Sequence, residues 1–189
     1  MNEKIDRPFL MGKKIYLRPF DLDDIEGDYL QWINDGEMVR FNETLIMPST
    51  LSQAREYVEK ILNSDNYIYF AVIEKTTGKH IGNVKLGPID WIDRRTMWGR
   101  LLSKNAWGKG YGSEVMQLIV EYSFEVLNLN KMWDGVITSN NAAIKSNLNA
   151  GMKIEGEVKD YTYRNGKYES ITILGMTKKE YFKMKNKDN

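Results

Sequence analysis

The stretch that most constrains this 189-residue chain is a strand-like run that breaks into glycines and then into an amphipathic helix. Thr96-Met97-Trp98-Gly99-Arg100-Leu101-Leu102 reads as a strand, and a turn follows at Gly108-Lys109-Gly110-Tyr111-Gly112. Beyond it Val115, Leu118, Ile119, Tyr122 and Val126 recur on one helical face. The glycines let backbone N–H groups converge without Cβ obstruction. The helix adds unpaired amides and the positive end of its dipole, so the turn suits a pyrophosphate. The same residues also serve a plain strand-to-helix turn. Two common phosphate motifs are excluded. The glycine spacing is G-x-G-x-G rather than G-x-G-x-x-G, and no Gly-Lys pair precedes Ser or Thr as a P-loop requires.

Composition narrows the chemistry. The chain has no cysteine, which removes disulfides, thiolate nucleophiles and Cys-ligated zinc, and its one histidine, His80, rules out a multi-histidine metal site. No acidic calcium loop is present, so no metal is expected. Lys plus Arg is 27 against 26 Asp plus Glu, without the basic excess of a dedicated nucleic-acid binder. The first ten residues, MNEKIDRPFL, carry no apolar signal stretch, and no run is long enough to span a membrane. A cytoplasmic protein is expected, with no nucleic-acid or membrane partner.

Residues 1–13 read as a loose lead-in. A strand follows at 14–19, then a helix capped by Asp21 with a stripe of Ile25, Tyr29, Trp32 and Ile33, closed by Asn34-Asp35-Gly36. Glu37 to Met47 is ambiguous. A second helix is expected over 51–63, capped by Thr50 or Ser52, with Ala54, Tyr57, Val58 and Ile61 on one face. Strands at 67–73, 80–86 and 96–102 form a meander. After the central helix come a strand at 132–136, a helix at 142–150, and a hairpin of 153–163 and 168–176 turning at Arg164-Asn165-Gly166-Lys167. The basic tail from Lys178 is expected to fray. His80 is expected at the surface or half-buried, and Tyr29 and Trp32 in the core. No repeat or linker divides the chain, so residues 1–189 read as one α/β domain with its core over about 14–181.

Trp107-Gly108-Lys109-Gly110-Tyr111-Gly112 resembles motif A of the GCN5-related N-acetyltransferases (GNAT), [QR]-x-x-G-x-[GA], with Trp where that motif has Gln or Arg. Such a Trp is usual in the branch similar to the ribosomal-protein alanine acetyltransferases. Asn140-Asn141-Ala142-Ala143-Ile144-Lys145-Ser146-Asn147-Leu148-Asn149-Ala150-Gly151-Met152 looks like the family's second motif, with the same spacing from Asn to Gly. Trp32-Ile33-Asn34-Asp35, Ile81-Gly82, Glu155-Gly156 and Asn165-Gly166-Lys167-Tyr168 are weaker matches in the family's order. The resemblance implies a mixed, mostly antiparallel sheet of about seven strands flanked by helices, an α+β form of the α/β class, splayed between its fourth and fifth strands. It implies acetyl-CoA as co-substrate. The turn of Trp107, Gly108, Lys109, Gly110, Tyr111, Gly112 and Ser113 would hold the pyrophosphate. Leu101 and Leu102 would pair with the pantetheine arm, and Asn140 would contact it.

Two departures bear on mechanism. Asn147 fills the position where family members often carry the Tyr that protonates the leaving thiolate, and an amide is no acid. Met97 stands where many carry a Glu that takes the amine proton. Asn147 and Asp90 are therefore the catalytic candidates by position, with Asp93 a further loop carboxylate and Ser146 able to approach the thiolate; a solvated loop or a structural helix serine is the plain reading of the last three. Without cysteine the expected route is direct attack of the amine, with positioning supplying much of the acceleration. Ile81 to Asp90 with Arg94-Arg95 looks like members acting on nucleotide-linked amino sugars, whereas the ribosomal-type resemblance points to a protein N-terminus. A small-molecule amine is the preferred acceptor. A non-catalytic acyl-CoA-binding module and a nucleotide-binding regulator are the other classes left open. The sequence does not set the oligomeric state, a homodimer included.

Overall fold

The computed structural model describes residues 7–42, 47–164 and 166–187. Its strands are β1 (Leu10–Met11), β2 (Ile15–Pro19), β3 (Ile68–Glu74), β4 (His80–Asp90), β5 (Arg95–Leu102), β6 (Lys131–Ile137), β7 (Lys153–Arg164) and β8 (Lys167–Thr177). Its helices are α1 (Leu30–Ile33), α2 (Gly36–Val39), α3 (Leu51–Leu62), α4 (Tyr111–Glu121), α5 (Asn141–Asn149) and α6 (Lys178–Lys185). The strands form one sheet in the order β1-β2-β3-β4-β5-β6-β8-β7. All neighbours are antiparallel except β5 and β6, which are parallel.

The sheet has one strand beyond the expected seven. The difference is β1, formed within the lead-in that was expected to be loose. Leu10 pairs with Leu17, the Phe9 amide donates to the Leu17 carbonyl at 2.7 Å, and the Phe9 ring stacks on Phe70. Apolar contact at Phe9 and Leu10 therefore fixes a segment whose polar neighbours suggested none.

Strand alternation builds two cores. Phe70, Val72, Val84, Leu86 and Trp98 face α4 and α5, where they meet Val115, Met116 and Ile119. Tyr69, Ala71, Ile73 and Leu101 face the opposite side, against Ile25, Tyr29, Trp32, Val58 and Ile61. The Ile25, Tyr29, Trp32 and Ile33 stripe is buried as expected, but the segment is not one helix. Asp21 caps a short 3-10 turn, and Gly27, at φ −81° and ψ −140°, breaks the helical path before α1. Glycine is the residue least committed to helical geometry. Asp35 then caps α2, in the stretch that was ambiguous; Glu43 to Ile46 lie outside the described residues.

Thr50 caps α3 in a reciprocal box with Gln53, and Tyr57, expected on the apolar face, lies 41% exposed with its hydroxyl accepting from Lys85. The α4 stripe holds through Tyr122, after which a wider π turn over Tyr122–Val126 shifts the phase and leaves Val126 exposed. Over Lys178–Lys185 the tail is a helix and not frayed: Thr177 and Glu180 form a capping box for α6, and Tyr181 is buried with its hydroxyl donating to Glu125. The β7–β8 turn forms as expected, although Asn165 lies outside the described residues. Among the described residues no helix is long and apolar enough to cross a membrane.

The seam between β5 and β6 positions the site. β5 pairs with β4 from Gly82↔Leu102 to Asp90↔Arg95. Its other edge pairs with β6 at Arg95↔Lys131 and Thr96↔Met132, and among the described residues no further. The strands part over residues 97–102 and 133–137, where the splay was expected.

Candidate active site

At the mouth of the seam the backbone makes a cradle. Gly108 and Gly110 have φ of 74° and 83°, in the left-handed region that glycine enters without penalty. A Cβ built on Gly110 would meet nothing nearer than Lys14 Nζ at 3.9 Å, so the space over the turn is open. Glu114 is the first helix amide to find a carbonyl, that of Gly110 at 3.2 Å. The amides of Tyr111, Gly112 and Ser113, in the first turn of α4, have no helical carbonyl to bond. Lys14 Nζ donates to the Lys109 carbonyl at 3.2 Å, and Lys109 Nζ lies 5.9 Å from the Tyr111 ring centroid. A glycine turn, a helix N-terminus and two ammonium groups are the chemistry that suits an anion. Lys14 was not singled out in the sequence, because the turn to which it belongs in space lies far away in the chain.

The turn residues divide by role. The Trp107 indole donates to the Leu102 carbonyl at 2.8 Å and pins the turn to the end of β5. Tyr111 is buried and donates to Glu74; the Thr77 hydroxyl, and then the Tyr111 hydroxyl, hold the Glu74 carboxyl below the usual range. Only the main chain of Tyr111 faces the cradle's chemistry. Ser113 is exposed within the first turn of α4. Leu101 is buried against the α1 and α3 side, and Leu102 is half-buried against the α4 side.

Across the seam, the Asn140 side chain caps α5 by accepting from the Ala143 amide at 3.2 Å. Ser146 and Asn147 are buried on α5. The Asn147 amide donates to Asp134 of β6 at 3.3 Å, and Arg100 of β5 donates to Ser146 Oγ at 3.0 Å and to the Gly112 carbonyl at 2.7 Å. The Arg100 guanidinium also lies 5.4 Å from the Trp98 ring. Burial pushes its pKa down to about 10, and Asp134 opposes that shift, so the group stays charged at neutral pH. Arg100, Asp134, Ser146 and Asn147 thus form one polar cluster between β5, β6, α4 and α5. The second sequence motif brought two of them forward. Arg100 and Asp134 belong to ordinary strand alternation and carried no signal.

Asp90 lies apart from that cluster. It lines a cleft of about 590 Å³ with Trp91, Arg95, Met97 and Trp133. Its Oδ1 accepts the Asp93 and Ile92 amides at 2.9 and 3.1 Å, and its Oδ2 accepts from Arg95 at 3.3 Å. These contacts, the Asp93 amide foremost, hold its carboxyl below the usual range. Asp93 is more exposed and also pairs with Arg95, at 3.3 Å. A second cleft of about 290 Å³ lies toward the C-terminal end of β6, lined by Arg40, Phe41, Ile137, Ser139, Arg164 and Glu169. His80 is half-buried, edge-on to Trp32 and Phe20, and Tyr29 is a core residue whose hydroxyl burial pushes up to about 12.

This arrangement has known counterparts. Residues 14–153 match the family model of the acetyltransferase (GNAT) domain. The chain is 31% identical to the uncharacterized N-acetyltransferase p20 of Bacillus licheniformis, over 91% of this chain and 97% of that protein. It is 25% identical to the spermidine N(1)-acetyltransferase of Escherichia coli K12, over 88% of each. The fold superposes on spermidine N-acetyltransferase from Vibrio cholerae, a structure in complex with CoA and spermine, with a TM-score of 0.82 at 21% identity, over 89% of this chain and 98% of the other.

Proposed function

The chain belongs to the GNAT acetyltransferase family, and from that premise we propose that it moves an acetyl group from acetyl-CoA directly to the primary amine of a small molecule. The observation that carries this reading is the junction of the amide cradle at 108–113 with the open edge of β5. The cradle and the Lys14 and Lys109 ammonium groups offer charge and donors to a pyrophosphate. The open edge of β5 beyond Thr96 offers backbone groups to an amide-bearing arm, with the Leu102 carbonyl held by Trp107 and Leu101 turned by strand alternation toward β4, and Asn140 and Ser146 flank its path at α5. Acetyl-CoA supplies a thioester that is already activated toward amines. The chain's part is to bind, orient and exclude water.

The acceptor enters from the opposite face, where the clefts beside Met97 and Ile137 open. Arg40 and Arg164 line one of them with Glu169, which is ion-paired to Lys167 at 2.9 Å. An amine carrying an anionic group, such as a nucleotide-linked amino sugar, is one reading for such a lining. A polyamine is the second reading, favoured by the activity named for the Escherichia coli and Vibrio relatives. A protein N-terminus is the third.

Thermal melting tests the cofactor. Acetyl-CoA at 100 times its dissociation constant stabilises by about 2.7 kcal/mol, a rise of about 5–10 °C for a chain of this size. A rise with acetyl-CoA and none with ATP or NAD is expected; a rise only with ATP or NAD overturns the reading. Turnover across amino sugars, polyamines and N-terminal peptides then fixes the acceptor, and turnover with peptides alone overturns the small-amine preference.

A further inference from the structure

Resting on that acetyl-transfer reading, we infer that Arg100 meets the negative charge on the departing sulfur, stabilising the CoA thiolate by its fixed positive charge instead of protonating it. The position where the family resemblance expects an acidic tyrosine holds Asn147, whose amide has no proton to give and already donates to Asp134. The charge that leaves with sulfur must be met in another way.

Arg100 stands where that is possible. It lies on β5 beyond Thr96, the last residue paired with β6, and so at the open part of the seam. Its guanidinium is tied to both helices that flank the seam, through the Gly112 carbonyl of α4 and the Ser146 hydroxyl of α5. Ser146 adjoins Asn147, which puts the cation beside the position of the missing acid. A guanidinium carries five N–H donors, and these two bonds leave donors for a ligand in the seam. Even half-burying a cation costs solvation that an apolar residue would not lose. The attraction of Asp134 keeps the charge in place. A partly desolvated charge held in place acts more strongly than one free in solution.

The transfer balances. The nitrogen–carbon bond forms as the carbon–sulfur bond breaks, and the electron pair leaves on sulfur. The nitrogen loses one proton to solvent and the sulfur later gains one from solvent. Arg100 remains protonated throughout.

The test titrates the thiol of bound CoA by its ultraviolet thiolate absorbance, in the wild type, Arg100→Lys and Arg100→Gln, with CoA affinity measured by calorimetry. Free CoA, titrated under the same conditions, sets the baseline. The wild-type complex is expected to titrate at least about one unit lower, Arg100→Lys to keep most of that shift, and Arg100→Gln to lose it while CoA still binds. Arg100→Gln is also expected to lower kcat by about 100-fold or more, with a much smaller change in KM for acetyl-CoA. A merely structural role would lower the melting temperature of Arg100→Gln and leave the thiol unmoved. An unshifted thiol in the wild-type complex, or a shift that survives in Arg100→Gln, overturns the inference. The wild-type titration decides alone if Arg100→Gln does not fold. Failure of CoA to bind the wild type overturns the acetyl-transfer reading itself.

Discussion

The two edges of β5 have opposite fates. One is laddered to β4 from Gly82 to Asp90. The other leaves β6 after Thr96 and faces a gap flanked by the side chains of Arg100, Asp134 and Asn147. Both edges carry the same kind of backbone, and buried backbone groups are almost always paired. On the proposed reading, the edge left open beside the amide cradle receives a chain-like ligand with groups of its own to pair, whereas the closed edge belongs to stability. The half of the sheet from β1 to β5 should govern folding, and the open edge with its turn should govern binding.

The largest effect is expected on the closed half. Arg18 and Asp24 form a bidentate pair at 2.6 and 2.7 Å, with side chains 2% and 1% exposed. Asp24→Ala removes the bidentate carboxylate from a buried cation and should cost about 3–5 kcal/mol in denaturant unfolding. Acetyl-CoA affinity of the folded fraction should not change, and a parallel loss would break the division. Next, on the open side, Gly110→Val puts a branched side chain at φ 83° and fills the cradle. The left-handed conformation alone costs about 1–2 kcal/mol, so acetyl-CoA affinity should fall at least about tenfold by calorimetry. Unchanged affinity would remove the turn from the site. Trp107→Phe deletes the bond to the Leu102 carbonyl and should cost about 1 kcal/mol, read as weaker acetyl-CoA binding more than as a lower melting temperature.

The smallest effect is one of pH. Lys153, with the Thr177 amide and hydroxyl, holds the Glu180 carboxyl down to about 2. The folded value lies below the ordinary one of about 4.3. The stabilisation is therefore present above about pH 5 and is lost as the pH falls toward 2. The Lys153–Glu180 pair is solvent-exposed, so its worth is below about 1 kcal/mol. Hydrogen exchange in α6 should quicken over that range while the closed half of the sheet holds.

What was legible follows the same division. Repeating apolar residues and caps announced β2 to β5, α3, α4 and α5, because each is specified by neighbours close in sequence: the Thr50–Gln53 box and the Val115, Ile119 and Tyr122 face are local facts. The order of motifs announced the cradle and the splay. What escaped is set by distant partners. β1 depends on Phe9 finding Phe70, and α6 on Tyr181 finding Phe124 and Glu125. The run of lysines hid the Thr177–Glu180 box that could have marked α6. Gly27 could have marked the break before α1. Lys14 reaches the turn from far away in the chain, and Arg100 and Asp134 alternate like any half-buried strand residues. The site's backbone chemistry was visible in its glycines, and its side-chain chemistry emerged where strands part.

Hydrogen exchange with and without acetyl-CoA tests the central claim most directly. Amides at 108–113 and along the open edge of β5 over 97–102 should exchange more slowly with acetyl-CoA and remain unchanged with ATP, while β3 and β4 show no difference. Protection spread evenly over the sheet, or none at the turn, would contradict the assignment of binding to the open edge.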